Sequence, residues 1–104
     1  MDEGINKKIS QYISLIKTKH TNIEKALLFG SFAKYSDRDE SDIDIAIIFK
    51  DLDDSEKFDI QVQLLLLASQ IDSRIEPHPL SADDFNSDNP FAIEIRKTGI
   101  EITR

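Results

Sequence analysis

The sequence contains no cysteine, so a disulfide framework, a thiolate nucleophile and a zinc–thiolate site are excluded. It also has no apolar run that approaches the roughly 20 residues of a membrane-spanning helix. The first four residues, Met-Asp-Glu-Gly, are acidic and do not resemble a secretory signal. We therefore expect a cytoplasmic protein that does not interact with a membrane.

Positive charge is scarce as well. The sequence has 13 Lys and Arg residues and 20 Asp and Glu residues, which gives a formal net charge of −7. The sequence has no basic stripe with interleaved aromatic residues, so duplex nucleic acid is not expected as the main partner. Its 104 residues are enough for one modest core, and we expect a single domain over residues 1–104.

Two aspartates and a glycine-serine pair carry most of the recognisable chemistry. Gly30-Ser31 ends one apolar run, and ten residues later Asp42 and Asp44 open a second apolar run. Because successive side chains of a strand point to opposite faces, the two carboxylates share one face. Carboxylates at the edge of an apolar strand are costly to desolvate, and all-oxygen ligation suits Mg²⁺ or Mn²⁺. We therefore expect a divalent-cation site here.

The Gly30-Ser31 pair supplies the complementary half of such a site. A glycine lets the backbone turn sharply and approach a ligand closely. The main-chain amides of a Gly-Ser turn that opens a helix can bind phosphate oxygens. The pattern therefore predicts a phosphate-binding turn beside the two aspartates.

This combination of residues resembles the signature of the minimal nucleotidyltransferases of the DNA polymerase beta-like superfamily. The signature consists of a Gly-Ser pair (Gly30-Ser31), a ten-residue spacer, an Asp-x-Asp motif (Asp42-Ile-Asp44) and flanking apolar strands. The resemblance implies an α/β (α+β) fold, with a small mixed sheet of three to four strands flanked by helices. It also implies that Lys34 joins Gly30 and Ser31 in nucleotide binding.

A third carboxylate is implied by the same resemblance, from a neighbouring strand. Glu76 is the best candidate and Asp72 the reserve. The alternative is that Glu76 is an ordinary edge-strand charge paired with Arg74. His78 shares the face of Glu76 and is expected to line the pocket or pack beneath it.

The remaining pattern predicts helices and strands on either side of this motif. We expect a Ser81 cap before a short helical turn, and a final helix that begins at Asn89-Pro90 and ends at Gly99. The other predicted elements are a helix over 5–19, a strand over 25–29, a short helix to about 35, a loop over 36–41, a central strand over 43–49, a helix over 55–69 and an edge strand over 73–79. Residues 100–102 are expected to add a short strand or to dock on a partner.

The predicted helix over 55–69 leaves two interpretations open. Asp53 and Glu56 fit a capping box at its start. Four consecutive leucines, Leu64-Leu-Leu-Leu67, place apolar side chains over more of the helix surface than packing along a single face requires. We favour a deeply packed core helix, and the alternative is a surface patch that binds a partner.

The resemblance implies transfer of a nucleoside monophosphate, AMP from ATP, to a hydroxyl group. Asp42, Asp44 and Glu76 would hold Mg²⁺ (or Mn²⁺). The segment Glu-Pro-His-Pro at 76–79 also resembles minimal nucleotidyltransferases that pair with a HEPN-domain protein. The implied partner is a HEPN toxin, with this protein as the antitoxin that AMPylates it. Two alternatives stay open: an antitoxin that neutralises by binding alone, and a nucleotidyltransferase of a small molecule, which the short chain disfavours.

Overall fold

The computed structural model describes residues 3–30 and 42–102. The predicted short helix to about residue 35 and the predicted loop over 36–41 lie outside these residues. The elements in chain order are α1 (Glu3–Lys19), β1 (Ile23–Phe29), β2 (Ile43–Phe49), α2 (Asp54–Ile71), β3 (Ile75–Ser81), α3 (Ala82–Phe85), α4 (Pro90–Thr98) and β4 (Ile100–Ile102).

The strands form one mixed sheet in the order β3-β2-β1-β4. β1 is antiparallel to β2 and to β4, whereas β2 and β3 are parallel and are joined by the α2 crossover. β2 lies inside the sheet, and its five residues Ile43, Ile45, Ala46, Ile47 and Ile48 have no exposed surface. The prediction of a small mixed sheet whose central strand is buried on both faces is therefore confirmed.

Helices pack on both faces of the sheet. On one face, α1 and α2 cover the Ile43, Ile45 and Ile47 side of β2. On the other face, α3 and α4 cover its Ala46 and Ile48 side. Asp44 is the next position along β2 on this second face, so the sheet presents its carboxylate beside the α4 layer.

The burial of the side chains of α2 differs from the prediction. The helix packs inward through Leu64 and Ala68, whereas a stripe of apolar side chains on its outer side is exposed. The members of this α2 apolar stripe are Phe58 (76% exposed), Val62 (38%), Leu65 (47%) and Leu66 (62%). The favoured interpretation of a deeply packed core helix is therefore wrong. The helix lies between α1 and the edge strand β3, and a narrow stripe is sufficient for those contacts.

The predicted capping box of α2 is also wrong. Asp53 is the N-cap residue, but its side chain accepts no capping hydrogen bond. The amide of Glu56 instead donates to the main-chain oxygen of Asp53 at 2.9 Å. Among the helices of residues 3–30 and 42–102, none has the length and apolar character needed to cross a membrane.

The later elements follow the predicted caps. Ser81 Oγ accepts from the Asp84 amide, and Asn89 Oδ1 accepts from the Phe91 amide ahead of Pro90 in the first turn of α4. Gly99 ends α4, and β4 pairs with β1. β3 is an edge strand as predicted, but it continues to Ser81 through both of its prolines.

Candidate active site

The parallel pairing of β2 with β3 brings Asp44 beside Glu76. In this register Asp44 is opposite Glu76 and Ala46 is opposite His78. One ligand atom each from Asp44, Glu76 and His78 lie within 4.8 Å of one another. Asp42 precedes β2 by one residue, and the Ile43 amide donates to the Arg74 carbonyl at 2.8 Å, which holds the start of β2 against β3.

The carboxyl groups of Asp42, Asp44 and Glu76 lie close enough together to disfavour the ionisation of Glu76. The pKa of Glu76 is raised, first by a hydrogen bond with the Asp42 carboxyl, then by burial and by the negative charges of Asp42 and Asp44. His78 opposes this shift. Neighbouring carboxyl groups disfavour each other's ionised form, and a nearby positive charge removes this effect. An all-oxygen group of this kind fits Mg²⁺ or Mn²⁺, because hard cations prefer carboxylate oxygens.

Gly30 passes Asp44 at a distance that only glycine permits. Its φ is +79°, in the left-handed region. A Cβ atom placed on Gly30 would lie 2.5 Å from Asp44 Oδ2. Gly30 therefore adopts the backbone conformation and the close approach that the sequence predicted for it, and it lies against the Asp44 carboxylate. Ser31 and Lys34, the other predicted nucleotide-binding residues, lie outside the described residues.

Sequence reasoning missed the contact of His78 with Asp44 and the packing of Phe91 on His78. His78 Nε2 lies 3.0 Å from Asp44 Oδ1, whereas the sequence predicted that His78 shares a face with Glu76 and lines the pocket or packs beneath it. Phe91 packs against His78 and Phe29 from α4. The alternation along β3 was the available signal for His78. Nothing local in the sequence points to Phe91, because its approach depends on how α4 packs.

Comparison with known proteins identifies the family. The chain matches the family described as "Polymerase beta, Nucleotidyltransferase" over residues 7–104. It belongs to this nucleotidyltransferase family. A comparison with curated proteins finds no match.

Solved structures share the fold of this nucleotidyltransferase. A candidate nucleotidyltransferase from Sulfolobus solfataricus has a TM-score of 0.63 at 22% identity, covering 92% of this chain and 77% of that one. A toxin-antitoxin structure with AMP-PNP has a TM-score of 0.60 at 23% identity, with 92% and 70% covered. A tri-AMPylated Shewanella oneidensis HEPN toxin in complex with MNT antitoxin has a TM-score of 0.58 at 21% identity, with 90% and 67% covered. At these identities the likeness establishes the fold.

Asp72, the reserve third carboxylate, is engaged elsewhere in the nucleotidyltransferase. It accepts hydrogen bonds from the amide, Nε and a terminal nitrogen of Arg74 at 2.9, 3.1 and 2.8 Å. Hydrogen bonding to Arg74 outweighs burial and holds the pKa of Asp72 well below its usual range. Arg74 therefore pairs with Asp72, and Glu76 is the residue that the register places beside Asp44.

Replacing Asp72 with asparagine is expected to destabilise the protein by about 1–2 kcal/mol while leaving catalysis intact. The pKa of Asp72 is lower in the folded protein than in the unfolded chain. The wild-type protein is therefore more stable than the variant at pH values above the usual pKa of aspartate, and this difference in stability is lost as the pH falls through the lowered pKa. Thermal unfolding from pH 7 down to pH 2 measures this convergence of the two proteins. A variant with normal stability but impaired nucleotidyl transfer would instead make Asp72 the third carboxylate.

Proposed function

We propose that this nucleotidyltransferase transfers AMP from ATP to a hydroxyl group of a partner protein, a HEPN-domain toxin, and so acts as its antitoxin. The observation that carries the proposal is that Glu76 is hydrogen-bonded to Asp42 and lies beside Asp44, whose carboxylate in turn lies against Gly30. Membership of the nucleotidyltransferase family supports the same reaction class.

Asp42, Asp44 and Glu76 are the residues that would hold Mg²⁺, with Mn²⁺ as its substitute. The raised pKa of Glu76 supports this, since its hydrogen bond with Asp42, its burial and the negative charges of Asp42 and Asp44 all disfavour its ionised form, and a bound cation would offset that cost. A divalent cation bound there supplies positive charge to the transferring phosphoryl group and to the leaving pyrophosphate.

The protein's own groups orient the reactants. In this proposal Gly30 and Ser31 bind the β- and γ-phosphates through main-chain amides, and Lys34 adds positive charge for nucleotide binding. The acceptor oxygen attacks the α-phosphorus while the bond to the β-phosphate bridging oxygen breaks and pyrophosphate leaves. A carboxylate oxygen of the cluster accepts the proton of the hydroxyl group.

Space for the acceptor exists on the opposite side of the carboxylates from Gly30. A cleft of about 220 Å³ lies at the outer edge of β3, bordered by Lys57, His78 and Phe91. His78, which borders this cleft, contacts Asp44 Oδ1 from β3, whereas Gly30 lies against Asp44 Oδ2 at the end of β1. An in-line displacement needs the attacking and leaving groups on opposite sides of phosphorus. The arrangement supports entry of the acceptor from the β3 side.

A protein acceptor is favoured over a small molecule by the surface of the chain. The α2 apolar stripe exposes large side chains such as Phe58 and Leu66, and such patches commonly mark protein interaction sites. The similar structures with AMP-PNP and with a tri-AMPylated HEPN toxin support both the nucleotide and the partner class.

The test is label transfer from α-labelled ATP, with Mg²⁺ and a lysate of the source cells, to a discrete protein band. Wild type is compared with Asp44→Asn and with Asp53→Asn, a matched control whose exposed side chain caps no amide. We expect labelled protein with wild type and Asp53→Asn, and at least a 100-fold weaker band with Asp44→Asn.

Other outcomes favour the alternatives. Label on a small molecule would indicate a nucleotidyltransferase of that compound. If no nucleoside triphosphate labels any acceptor while Asp44→Asn still binds and neutralises the toxin, the protein is an antitoxin that acts by binding alone.

A further inference from the structure

His78 makes contacts that the proposed transfer reaction does not use. Its Nε2 lies 3.0 Å from Asp44 Oδ1, and both side chains are mostly shielded, at 30% and 23% exposure. Its ring meets Phe29 edge-on at 5.1 Å between centroids, and Phe91 lies at 5.9 Å on a tilted plane. Two aromatic rings from β1 and α4 therefore restrict how this imidazole can turn.

The carboxylate of Asp44 is bounded on both of its oxygens. Oδ1 faces His78, and Oδ2 lies against Gly30, where no space for a Cβ atom remains. Pairing of β2 with β1 and β3 fixes the Asp44 backbone. The side-chain torsions of Asp44 are thus limited by a hydrogen bond on one side and by close packing on the other.

We propose that His78 is a positioning residue, whose Nε2–H donates to Asp44 Oδ1 and holds the carboxylate in the orientation that binds the divalent cation. The proposal rests on the proposed function for the cation site. Carboxylates that bind metals are commonly oriented by such outer hydrogen bonds, and loss of one typically lowers metal affinity about 10–100-fold.

The competing role is direct ligation by His78, since its ring nitrogen belongs to the same group of potential ligand atoms. The contact with Asp44 argues against it, because Nε2 is directed at Oδ1. An imidazole ligand also suits softer metals than Mg²⁺. A positioning role leaves the all-oxygen character of the site intact.

The experiment is titration of the protein with Mn²⁺, followed by electron paramagnetic resonance, without nucleotide or partner. His78→Leu removes the donor and keeps apolar bulk between Phe29 and Phe91. His78→Gln keeps an Nε2–H the same number of bonds from Cβ. We expect Mn²⁺ affinity to fall about 10–100-fold in His78→Leu and to return to within a few-fold of wild type in His78→Gln.

A matched control is His20→Gln, because His20 is the only other histidine and packs edge-on against Phe49 on the α1 side. It should bind Mn²⁺ as wild type does. Electron spin-echo modulation from ¹⁴N around bound Mn²⁺ adds a readout that separates direct ligation by His78 from positioning of Asp44, while the return of affinity in His78→Gln separates positioning from a merely structural role. We expect no histidine nitrogen coupling in wild type.

Three outcomes would overturn the inference: unchanged affinity in His78→Leu, nitrogen coupling in wild type that disappears in His78→Gln, or no Mn²⁺ binding by wild type. Failure of AMP transfer alone leaves it standing, because the Mn²⁺ measurement needs neither ATP nor acceptor. If His78→Leu does not fold, His78→Met replaces it, since methionine also lacks the donor and keeps apolar bulk between Phe29 and Phe91. Unchanged Mn²⁺ affinity in His78→Met would overturn the inference in the same way.

Discussion

Replacing Glu76 with glutamine is expected to raise the thermal stability of the metal-free protein at neutral pH and to lower AMP transfer roughly 1,000-fold. The two effects have opposite signs because the same crowding causes both. Asp42 and Asp44 raise the pKa of Glu76, so ionised Glu76 is a liability to the fold without a cation. A neutral glutamine removes the repulsion and also removes one negative ligand from the proposed cation site.

The pH dependence of this effect has a definite sign. Because the folded pKa of Glu76 is raised, the folded state holds its proton more tightly than the unfolded chain. Wild-type stability therefore falls, relative to the variant, as the pH rises from the ordinary glutamate range through the raised value. Below that window Glu76 is protonated in both states, and the advantage of the variant disappears.

Thermal unfolding in EDTA between pH 4 and pH 8 measures this difference, and addition of Mg²⁺ provides the second arm. Mg²⁺ should stabilise wild type by mass action and should stabilise Glu76→Gln much less. Asp72→Asn serves as a control, since its carboxylate is paired with Arg74 and contacts none of the three site carboxylates. A Glu76→Gln protein that transfers AMP normally would remove Glu76 from the mechanism.

The sequence was sufficient for the central part of this fold. The continuous apolar run of β2 predicted a buried middle strand, and its bounds agree with the structure. The alternation within strands predicted that Asp42 shares a face with Asp44 and that Glu76 shares one with His78. Local periodicity carries this information, because it depends on the backbone of a single strand.

Relations between strands were beyond the sequence alone. Whether Glu76 or Asp72 faces Asp44 is decided by the register of β3 on β2, which depends on how α2 packs as the crossover. The pairing of Arg74 with Asp72 is a local contact in the turn that leads into β3, where the Arg74 amide and side chain both donate to the Asp72 carboxylate. The choice between Glu76 and Asp72 as the neighbour of Asp44 is therefore one that the packing of strands decides.

The error on α2 has a related cause. Apolar residues occur all around this helix, so its sequence does not identify which stripe faces inward. Its place beside the sheet edge buries Leu64 and Ala68 and leaves Phe58 and Leu66 exposed. A helix of this composition is typical of a protein that buries a second face against another chain.

Replacing Gly30 with alanine is expected to lower AMP transfer by about 100-fold at a modest cost in stability. The left-handed φ of +79° alone costs a non-glycine residue roughly 1–2 kcal/mol. The larger effect is on the site, because the added Cβ would lie 2.5 Å from Asp44 Oδ2 and 3.3 Å from its Cγ. Asp44 must rotate, and its hydrogen bond with His78 is lost with that rotation.

Gly99→Ala is the control that separates loss of stability from loss of the site. Gly99 ends α4 with an ordinary φ of −70°, and a Cβ there would collide with the carbonyl oxygen of Ile95 and approach Leu27. Both variants should therefore lower the unfolding midpoint, but only Gly30→Ala should lose transfer activity and Mn²⁺ affinity when assayed well below that midpoint. Equal activity losses in the two variants would mean that Gly30 serves the fold alone, and that its approach to Asp44 has no part in orienting the carboxylate.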